Sequence, residues 1–277
     1  MTSTNSRPKE PADNEFSMNL KIDIIIAAKN AELTITETLD SIIRNRATSF
    51  IGKVVVIDDG SYDSTAKLAV SYSACLPIKV ISLESSVGQS RARNIGIASS
   101  DADLLMILDS DDILIEGVID FVLSEFKTMP DMSLISGEKI SFGNWGVDSR
   151  QSNFHNTHGE LADQIKKGRN PIVHSGTTFT RAWFTKTGGY DEKSFHNEDL
   201  HLWHAGLDHG TYLVVELPFI YYRTDRHLRS YRYWLQAEIN GSERYRYKEG
   251  SHVAILLKLT RPAKYLKYVL GRQIFRR

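Results

Sequence analysis

The amino-acid sequence predicts an α/β fold, a mostly parallel sheet flanked by helices. The first observation is a set of four apolar runs of strand length, at residues 21–28, 53–59, 78–83 and 104–109. The second is that helix-like segments separate these runs, an alternation typical of parallel sheets with helices on both faces. The third is that aspartates directly follow two of the runs, at the edge where open α/β sheets bind their ligands.

The segments between the strands carry helix signals. After the first strand, Thr34 and Glu37 have the spacing of a capping box, and the apolar residues that follow recur on one helical face. Three further helices are expected, one beginning at residue 63 or 64, one over 88–100 and one over 116–126. Residues 143–170 are polar, rich in Gly and Asn and weakly periodic, which predicts a long surface segment that could serve as a lid.

The 277 residues are expected to form one globular unit with two tails. Residues 1–20 are polar and rich in Ser, Asn, Pro and Glu, which predicts a disordered tail. We expect the α/β domain to span residues 21–225 and to be followed by a basic helical C-terminal extension over residues 226–277.

The net charge of zero conceals a strong asymmetry along the chain. Residues 223–277 contain 14 Lys and Arg against 4 Asp and Glu, so the remainder of the chain is net acidic. Within this region, residues 251–277 hold seven basic and no acidic residues, interleaved with apolar ones. Two interpretations remain open: a basic amphipathic helix on an anionic membrane surface, or a helix packed on the main domain. Nucleic-acid binding is disfavoured, because no recognition motif appears.

Composition also predicts the compartment. The single cysteine, Cys75, excludes an intramolecular disulfide framework and a structural zinc signature. Residues 1–20 lack the apolar core of a signal peptide, and no stretch approaches the roughly 18 apolar residues of a membrane span. We therefore expect a cytoplasmic protein, with peripheral association at the inner face of the cell membrane if the basic segment binds lipid.

Three aspartates, Asp109, Asp111 and Asp112, stand at the end of the fourth apolar run. Packing three like charges together costs stability unless a hard divalent cation, which prefers oxygen ligands, neutralises them. The alternative is that they cap the following helix, since Asp favours the first helical turn. One aspartate is explained in that way more easily than three.

A second acidic motif follows the strand at 53–59. Asp58 and Asp59 end this strand, and Gly60 allows close approach of the backbone. A carboxylate there can accept hydrogen bonds from a nucleobase imide or a ribose hydroxyl, although a plain strand-to-helix turn uses the same residue types. Together with the aspartates about fifty residues later, the motif predicts a nucleotide site beside a metal. No GxGxxG or P-loop follows the first strand, which disfavours dinucleotide and kinase-like sites.

The chain resembles the family 2 glycosyltransferases, which have the Rossmann-like GT-A fold. The resemblance covers roughly residues 20–225, with its motifs in family order. The matching blocks are Ala28-Lys29-Asn30, Asp58-Asp59-Gly60-Ser61 with Asp63 and Thr65, Gly88 to Gly96, Asp109-Ser110-Asp111-Asp112, and Gly188 to Glu192 followed by Glu198 to Trp203.

The resemblance implies a donor pocket at the ends of the first two strands. Asp59 would bind the base, commonly uracil in this family, and Ala28 and Asn30 would line the same pocket. Arg93 would face the diphosphate or the donor sugar, or would instead form a salt bridge at the acidic sheet edge.

The resemblance also implies a metal and a catalytic base. Asp109 and Asp111 would form the DXD motif, with Asp109 facing the donor and Asp111 ligating Mg²⁺ or Mn²⁺. Asp199 would be the catalytic base, and Glu198 and Trp203 would lie on the acceptor side, although core packing also suits Trp203.

These assignments predict a metal-dependent, inverting glycosyltransferase. It would move a sugar from a nucleotide donor, UDP-linked in the favoured case, onto a saccharide or lipid-linked acceptor during surface polysaccharide assembly. One alternative is a non-catalytic module that binds a nucleotide-sugar or a glycan. Another is a sugar-phosphate nucleotidyltransferase, whose usual Gly-rich loop with a basic residue does not follow the first strand here.

Overall fold

The computed structural model describes residues 20–45, 48–143, 146–148, 157–194 and 197–224. The predicted N-terminal tail, except Leu20, and the basic extension over 226–277 lie outside the described residues. The assignments made for those two regions therefore stay predictions.

The described residues form nine strands and seven α-helices. The strands are β1 (Ile22–Ala28), β2 (Ile51–Asp58), β3 (Ile78–Ser82), β4 (Leu104–Ile107), β5 (Ile113–Leu114), β6 (Met132–Gly143), β7 (Gly146–Asp148), β8 (Thr178–Thr180) and β9 (Thr211–Arg223). The helices are α1 (Ile35–Arg44), α2 (Thr65–Val70), α3 (Gln89–Ala98), α4 (Val118–Thr128), α5 (His158–Lys166), α6 (Arg181–Thr187) and α7 (Glu198–Gly206). The four predicted strands and the four predicted helices correspond to β1–β4 and α1–α4.

The strands form one mixed sheet in the order β3-β2-β1-β4-β8-β6-β9-β5, with β7 paired to β6. The β1–β4 half is parallel, as predicted. Strand β8 runs antiparallel to both β4 and β6, so β6 points in the same direction as β4. Strand β9 is parallel to β6, and β5 closes the far edge in the antiparallel sense.

The buried sheet explains why the first strands read as apolar runs. In β1, Ile24 and Ile26 pack in a core with residues of α1 and α4, whereas Ile25 packs in a second core with residues of α3, α6 and α7. Successive side chains of a strand point to opposite faces, so a strand covered on both faces needs apolar residues throughout. The parallel register also brings the ends of β1 and β2 together, with Ala28 opposite Asp58.

The predicted capping box at the start of α1 is wrong. Thr34 makes no side-chain capping bond. Its hydroxyl instead donates to the carbonyl of Ser110 at 2.9 Å, and Glu37 forms an ion pair with Arg223. Tertiary partners from the loop after β4 and from β9 compete successfully for both side chains.

The described part of the segment 143–170 also differs from the prediction, because it contains β7 and helix α5. A capping box opens α5: the Glu160 N–H donates to the Thr157 hydroxyl, and the Thr157 N–H donates to the Glu160 carboxylate. The Thr-x-x-Glu signal was present in the sequence. Leu161 and Ile165 bury the inner face of this helix.

None of the helices in the described part of the chain combines the length and apolar character needed to cross a membrane.

Gly96 allows α3 to lie directly on the sheet. A methyl group at this position would lie 2.3 Å from Ile57 Cδ1 and 2.8 Å from Ile25 Cγ2.

We expect Gly96→Ala to lower the free energy of unfolding by about 1–3 kcal/mol, because overpacking forces the core to shift. Urea unfolding measures the change. The matched control is Gly159→Ala in α5, where no atom lies within 4 Å of the added carbon; it should stabilise by about 0.5–1 kcal/mol. Equal stability of the two variants would contradict the prediction.

Candidate functional site

Two acidic groups meet at the carboxyl edge of the parallel strands. One is the run from Asp109 to Asp112, directly after β4, and the other is Glu198 with Asp199 in the first turn of α7. Arg93 of α3 joins them: its Nη2 lies 2.9 Å from Asp109 Oδ1, and its Nη1 lies 2.8 Å from Glu198 Oε1. Motifs that are about ninety residues apart in the sequence therefore form one site.

The aspartates after β4 are arranged as a cation site. One carboxylate oxygen from each of Asp109, Asp111 and Asp112 lies within 4.8 Å of the others. Asp112 is fully buried, and its Oδ2 has no hydrogen-bond partner among the described residues. Burial, followed by repulsion from Asp109 and Asp111, raises the pKa of Asp112 to about 8. An all-oxygen donor set with excess negative charge fits Mg²⁺ or Mn²⁺.

Neighbouring elements hold these aspartates in place despite their repulsion. The N–H of Arg223, at the end of β9, donates to Asp112 Oδ1 at 3.0 Å, and its Nε donates to the Asp111 carbonyl at 3.0 Å. The Thr38 hydroxyl of α1 donates to the Asp112 carbonyl at 2.8 Å. Sequence reasoning missed Arg223 as part of the site, because only the tertiary fold brings β9 beside the loop after β4.

Asp59 lies at the end of β2, as predicted, and its carboxylate binds the loop that leads into α3. Its Oδ1 accepts from the Val87 N–H at 2.6 Å, and its Oδ2 accepts from the Ser86 hydroxyl at 2.7 Å and the Gly88 N–H at 3.1 Å. The residue is only 4% exposed. Asp59 therefore fixes the loop that leads into α3, and its contact with a base stays a prediction.

The other two residues predicted to line the nucleobase pocket lie beside Asp59. Ala28 is buried, and its carbonyl accepts from the Asp59 N–H at 2.8 Å. Asn30 has a left-handed backbone with a φ of 50°. Its N–H donates to the Ser61 hydroxyl at 2.9 Å, and its Oδ1 accepts from the Tyr62 N–H at 3.2 Å. These bonds join the loops after β1 and β2 into one wall.

Asp199 is half-buried and has the properties of a proton acceptor. Its Oδ1 accepts from the Leu200 N–H at 2.8 Å, and its Oδ2 accepts from Asn170 Nδ2 at 2.5 Å. Burial and then the negative charge of Glu198 raise the pKa of Asp199 to about 6, although both hydrogen bonds oppose that shift. A carboxylate with this pKa is ionised at neutral pH and still basic enough to take a proton.

Glu198 differs from Asp199 because it is committed to Arg93. Burial alone would raise the pKa of Glu198, but the charge of Arg93, the interaction with His174 and the hydrogen bond from Arg93 together lower it below its ordinary value. The side chain of Arg93 is 4% exposed. Of the two interpretations of Arg93, the structure shows the salt bridge at the acidic edge; a contact with the donor stays a prediction.

Of the two interpretations of Trp203, the structure shows the core packing; a contact with the acceptor stays a prediction. Trp203 is fully buried, and its ring packs 6.2 Å from that of Trp183 and 5.9 Å from that of His174. It lies more than a turn beyond Asp199 in α7, on the helix face that packs in the second core. Burial of a large aromatic ring contributes more to stability than a place on a pocket wall would.

Three polar residues around Glu198 and Asp199 were missed by sequence reasoning: Asn170, His174 and Tyr190. Nε2 of His174 lies 2.8 Å from the Tyr190 hydroxyl, and the Tyr190 ring centroid lies 5.7 Å from the Arg93 guanidinium carbon. Burial, followed by the charge of Arg93, lowers the pKa of His174 to about 4, so this histidine is neutral at physiological pH. Tyr190 belongs to the Gly-Gly-Tyr-Asp-Glu block, whereas nothing in the polar sequence around Asn170 marks that residue.

The mixed sheet and the acidic motifs at its carboxyl edge define the class of the protein, the GT-A fold. The model of the family described as Glycosyl transferase family 2 matches residues 23–187, and the chain belongs to this family.

Curated relatives are similar over much of the chain. The minor teichoic acid biosynthesis protein GgaB of Bacillus subtilis is 28% identical over 193 residues, covering 68% of this chain and 21% of its own length. A UDP-Gal:alpha-D-GlcNAc-diphosphoundecaprenol beta-1,3-galactosyltransferase of Escherichia coli is 27% identical over 201 residues, covering 71% of this chain and 69% of its own. This chain thus spans only about a fifth of the length of GgaB.

Solved structures of S. aureus TarS share the fold. TarS residues 1–349 in complex with UDP match with a TM-score of 0.61 at 18% identity, over 80% of this chain and 65% of that chain. The complex with UDP-GlcNAc matches with a TM-score of 0.62 at 18% identity, over 81% and 66%.

The raised pKa of Asp112 predicts that, in EDTA, stability falls as the pH rises. The folded state holds this proton up to about pH 8, whereas the unfolded chain releases it near pH 3.8. The free energy of unfolding should therefore fall by up to about 6 kcal/mol between these values, at about 1.4 kcal/mol per pH unit, since the folded state binds more protons there. Urea unfolding at several pH values measures the slope. Saturating Mn²⁺ should remove it, and so should Asp112→Asn. Asp131→Asn, at an exposed position, is the control; a slope unchanged in Asp112→Asn would contradict the assignment.

Proposed function

We propose that the protein is an inverting, cation-dependent glycosyltransferase. It transfers a sugar from a UDP-linked donor to a hydroxyl group of a saccharide or lipid-linked acceptor. The observation that carries this proposal is the pairing, at one sheet edge, of a carboxylate cluster suited to a cation with a separate carboxylate, Asp199, suited to accept a proton. The UDP and UDP-GlcNAc complexes of TarS and the UDP-Gal donor named for the E. coli relative support a UDP-linked donor.

The donor half of the site lies at the ends of β1, β2 and β4. Asp59, with Asn30 and Ala28, forms the wall assigned to the nucleobase of the donor. Asp109, Asp111 and Asp112 would hold Mg²⁺ or Mn²⁺, with Asp111 as the primary ligand. When bound, such a cation supplies positive charge that stabilises the diphosphate as it leaves.

The acceptor half of the site is the start of α7. The acceptor oxygen forms a bond to the anomeric carbon while the bond from that carbon to the phosphate oxygen breaks, and its electron pair leaves with the nucleoside diphosphate. Asp199 takes the proton of the acceptor hydroxyl during this step. Attack on the face opposite the leaving group inverts the anomeric configuration.

The non-catalytic alternative is less well supported by the site. A nucleotide-sugar or glycan-binding module has no need of a proton-accepting carboxylate, yet Asp199 is held by two hydrogen bonds beside the cation cluster. Membership of the glycosyltransferase family likewise leaves the nucleotidyltransferase alternative without support.

The relatives favour a role in building cell-surface polysaccharide or teichoic acid. GgaB is named for minor teichoic acid biosynthesis, and the E. coli relative is named for a diphosphoundecaprenol-linked substrate. We place the protein in the cytoplasm, at the inner face of the membrane, where the basic residues of 251–277 would bind anionic lipid.

Calorimetric titration tests the donor site. UDP, GDP, dTDP and CDP are each titrated with and without Mn²⁺. We expect UDP to bind in a Mn²⁺-dependent manner and Asp111→Ala to abolish that dependence, because a cation ligand is lost. Asp199→Asn should bind UDP as the wild type does and should lose at least about 10²-fold in sugar transfer, the usual contribution of a general base.

The matched control for both variants is Asp101→Asn, an exposed aspartate before β4, at the opposite edge of the sheet from the site. It should bind and transfer normally. Nucleotide binding without transfer to any acceptor, together with unchanged behaviour of Asp199→Asn, would favour the binding-module alternative.

Flotation with liposomes tests the membrane assignment. The 277-residue chain should float with vesicles that contain phosphatidylglycerol and not with pure phosphatidylcholine, because basic segments bind anionic surfaces electrostatically. Replacing all seven Lys and Arg residues of 251–277 with Gln should abolish flotation and leave UDP binding unchanged. Flotation that survives this replacement would contradict the assignment.

A further inference from the structure

Arg93 is a single buried cation shared by the two halves of the site. Its guanidinium contacts Asp109 of the cation cluster at 2.9 Å and Glu198 of α7 at 2.8 Å, using different nitrogens. Gln89 Oε1, one turn earlier in α3, lies 3.4 Å from the nitrogen that faces Asp109. The rigid fork of a guanidinium can bridge two carboxylates, which the compact ammonium group of lysine cannot do with the same geometry.

The partner of Glu198 matters because Glu198 stands next to Asp199. Two adjacent buried carboxylates repel each other, so an unpaired Glu198 disfavours the ionised form of its neighbour. In the structure Glu198 is turned to Arg93, while Asp199 is held instead by Asn170 and by the Leu200 N–H. Arg93 thus gives the two adjacent carboxylates different environments: Glu198 is in an ion pair, and Asp199 is held only by hydrogen bonds.

We propose that Arg93 is a positioning residue that binds Asp109 and Glu198 at the same time. It thereby fixes the catalytic base, Asp199, at a set distance from the cation cluster, and it keeps Glu198, the neighbour of Asp199, in an ion pair. The proposal rests on the role of Asp199 as the base in the proposed function. Arg93 acts through the two carboxylates, and the proposal requires no contact between Arg93 and either substrate.

Other charged groups also face Asp199, and an Arg93 variant keeps all of these side chains. Glu198 lies on the same helix, Lys139 of β6 exerts an attraction, and Tyr190 is electrostatically coupled to it from the turn before α7. Asn170 donates its hydrogen bond from the segment after α5. A change in the titration of Asp199 in an Arg93 variant therefore reports the loss of the guanidinium.

The test is the pH dependence of kcat/KM for the acceptor in Arg93→Met. We expect the acidic limb of the profile to move up by about one pH unit or more, because an opposite charge at short range is lost. Arg93→Lys should keep the limb near its wild-type position while kcat falls, since the charge remains and the bridge does not. The matched control is Arg91→Met on the same helix. Arg91 is exposed, and its Nε lies 3.9 Å from Glu192 Oε2, so the position of the acidic limb and kcat should both stay unchanged.

A second variant separates positioning from a general structural effect. Arg93→Met/Glu198→Gln leaves no unpaired carboxylate beside Asp199, so the limb should return toward its wild-type position. If Arg93→Met does not fold, Arg93→Lys and the double variant carry the test. An equal loss of activity at every pH, with the limb unmoved in Arg93→Met, would overturn the proposal, and so would a limb that stays raised in the double variant.

A readout without turnover keeps this test distinct from that of the proposed function. The ¹³C carboxyl resonance of Asp199, assigned with Asp199→Asn, gives its titration directly in each variant. A wild-type protein that transfers no sugar would defeat the proposed function. An Asp199 resonance that titrates identically in wild type and Arg93→Met would defeat the role of Arg93.

Discussion

The concentration of negative charge at the carboxyl edge of the sheet is the constraint on which the rest of the site depends. Five carboxylates, at positions 109, 111, 112, 198 and 199, converge there from two distant parts of the chain. Their repulsion is offset by the Arg93 ion pairs and by hydrogen bonds from Arg223 to the loop after β4. Burial first, and the remaining repulsion second, raise the pKa values of Asp112 and Asp199, and a site of this kind is suited to a cation and to proton transfer.

The same compensation gives each carboxylate a different chemical character. Glu198 is ion-paired with Arg93 and stays ionised, Asp199 is held by hydrogen bonds and becomes a better base, and Asp112 is fully buried beside two other aspartates. Differences of environment among like groups are how active sites assign distinct roles to identical residue types. In this protein α3 contributes the deciding group, because Gly96 lets the helix lie close enough to the sheet for Arg93 to reach both partners.

The first half of the fold and most of the site motifs could be predicted from local patterns. Strands β1, β2 and β4 are buried on both faces, so their apolar runs are unambiguous, and the aspartates that end β2 and β4 follow directly. The second half could not be predicted so well. Strand β8 has three residues and β5 has two, and their pairing depends on strands far away in the chain. The predicted capping box of Thr34 and Glu37 is wrong for the same reason, because both side chains bond to residues of other elements.

The sequence by itself determined the fold class, the family resemblance and the presence of acidic groups at two strand ends and one helix start, because these properties reside in short stretches of adjacent residues. Only the tertiary structure decided which groups meet. It joined Arg93 to Glu198 across about a hundred positions, placed Asn170 against Asp199, and buried Trp203 in the core. Such contacts depend on distances between elements that are far apart in the chain, and a pattern of neighbouring residues carries no information about those distances.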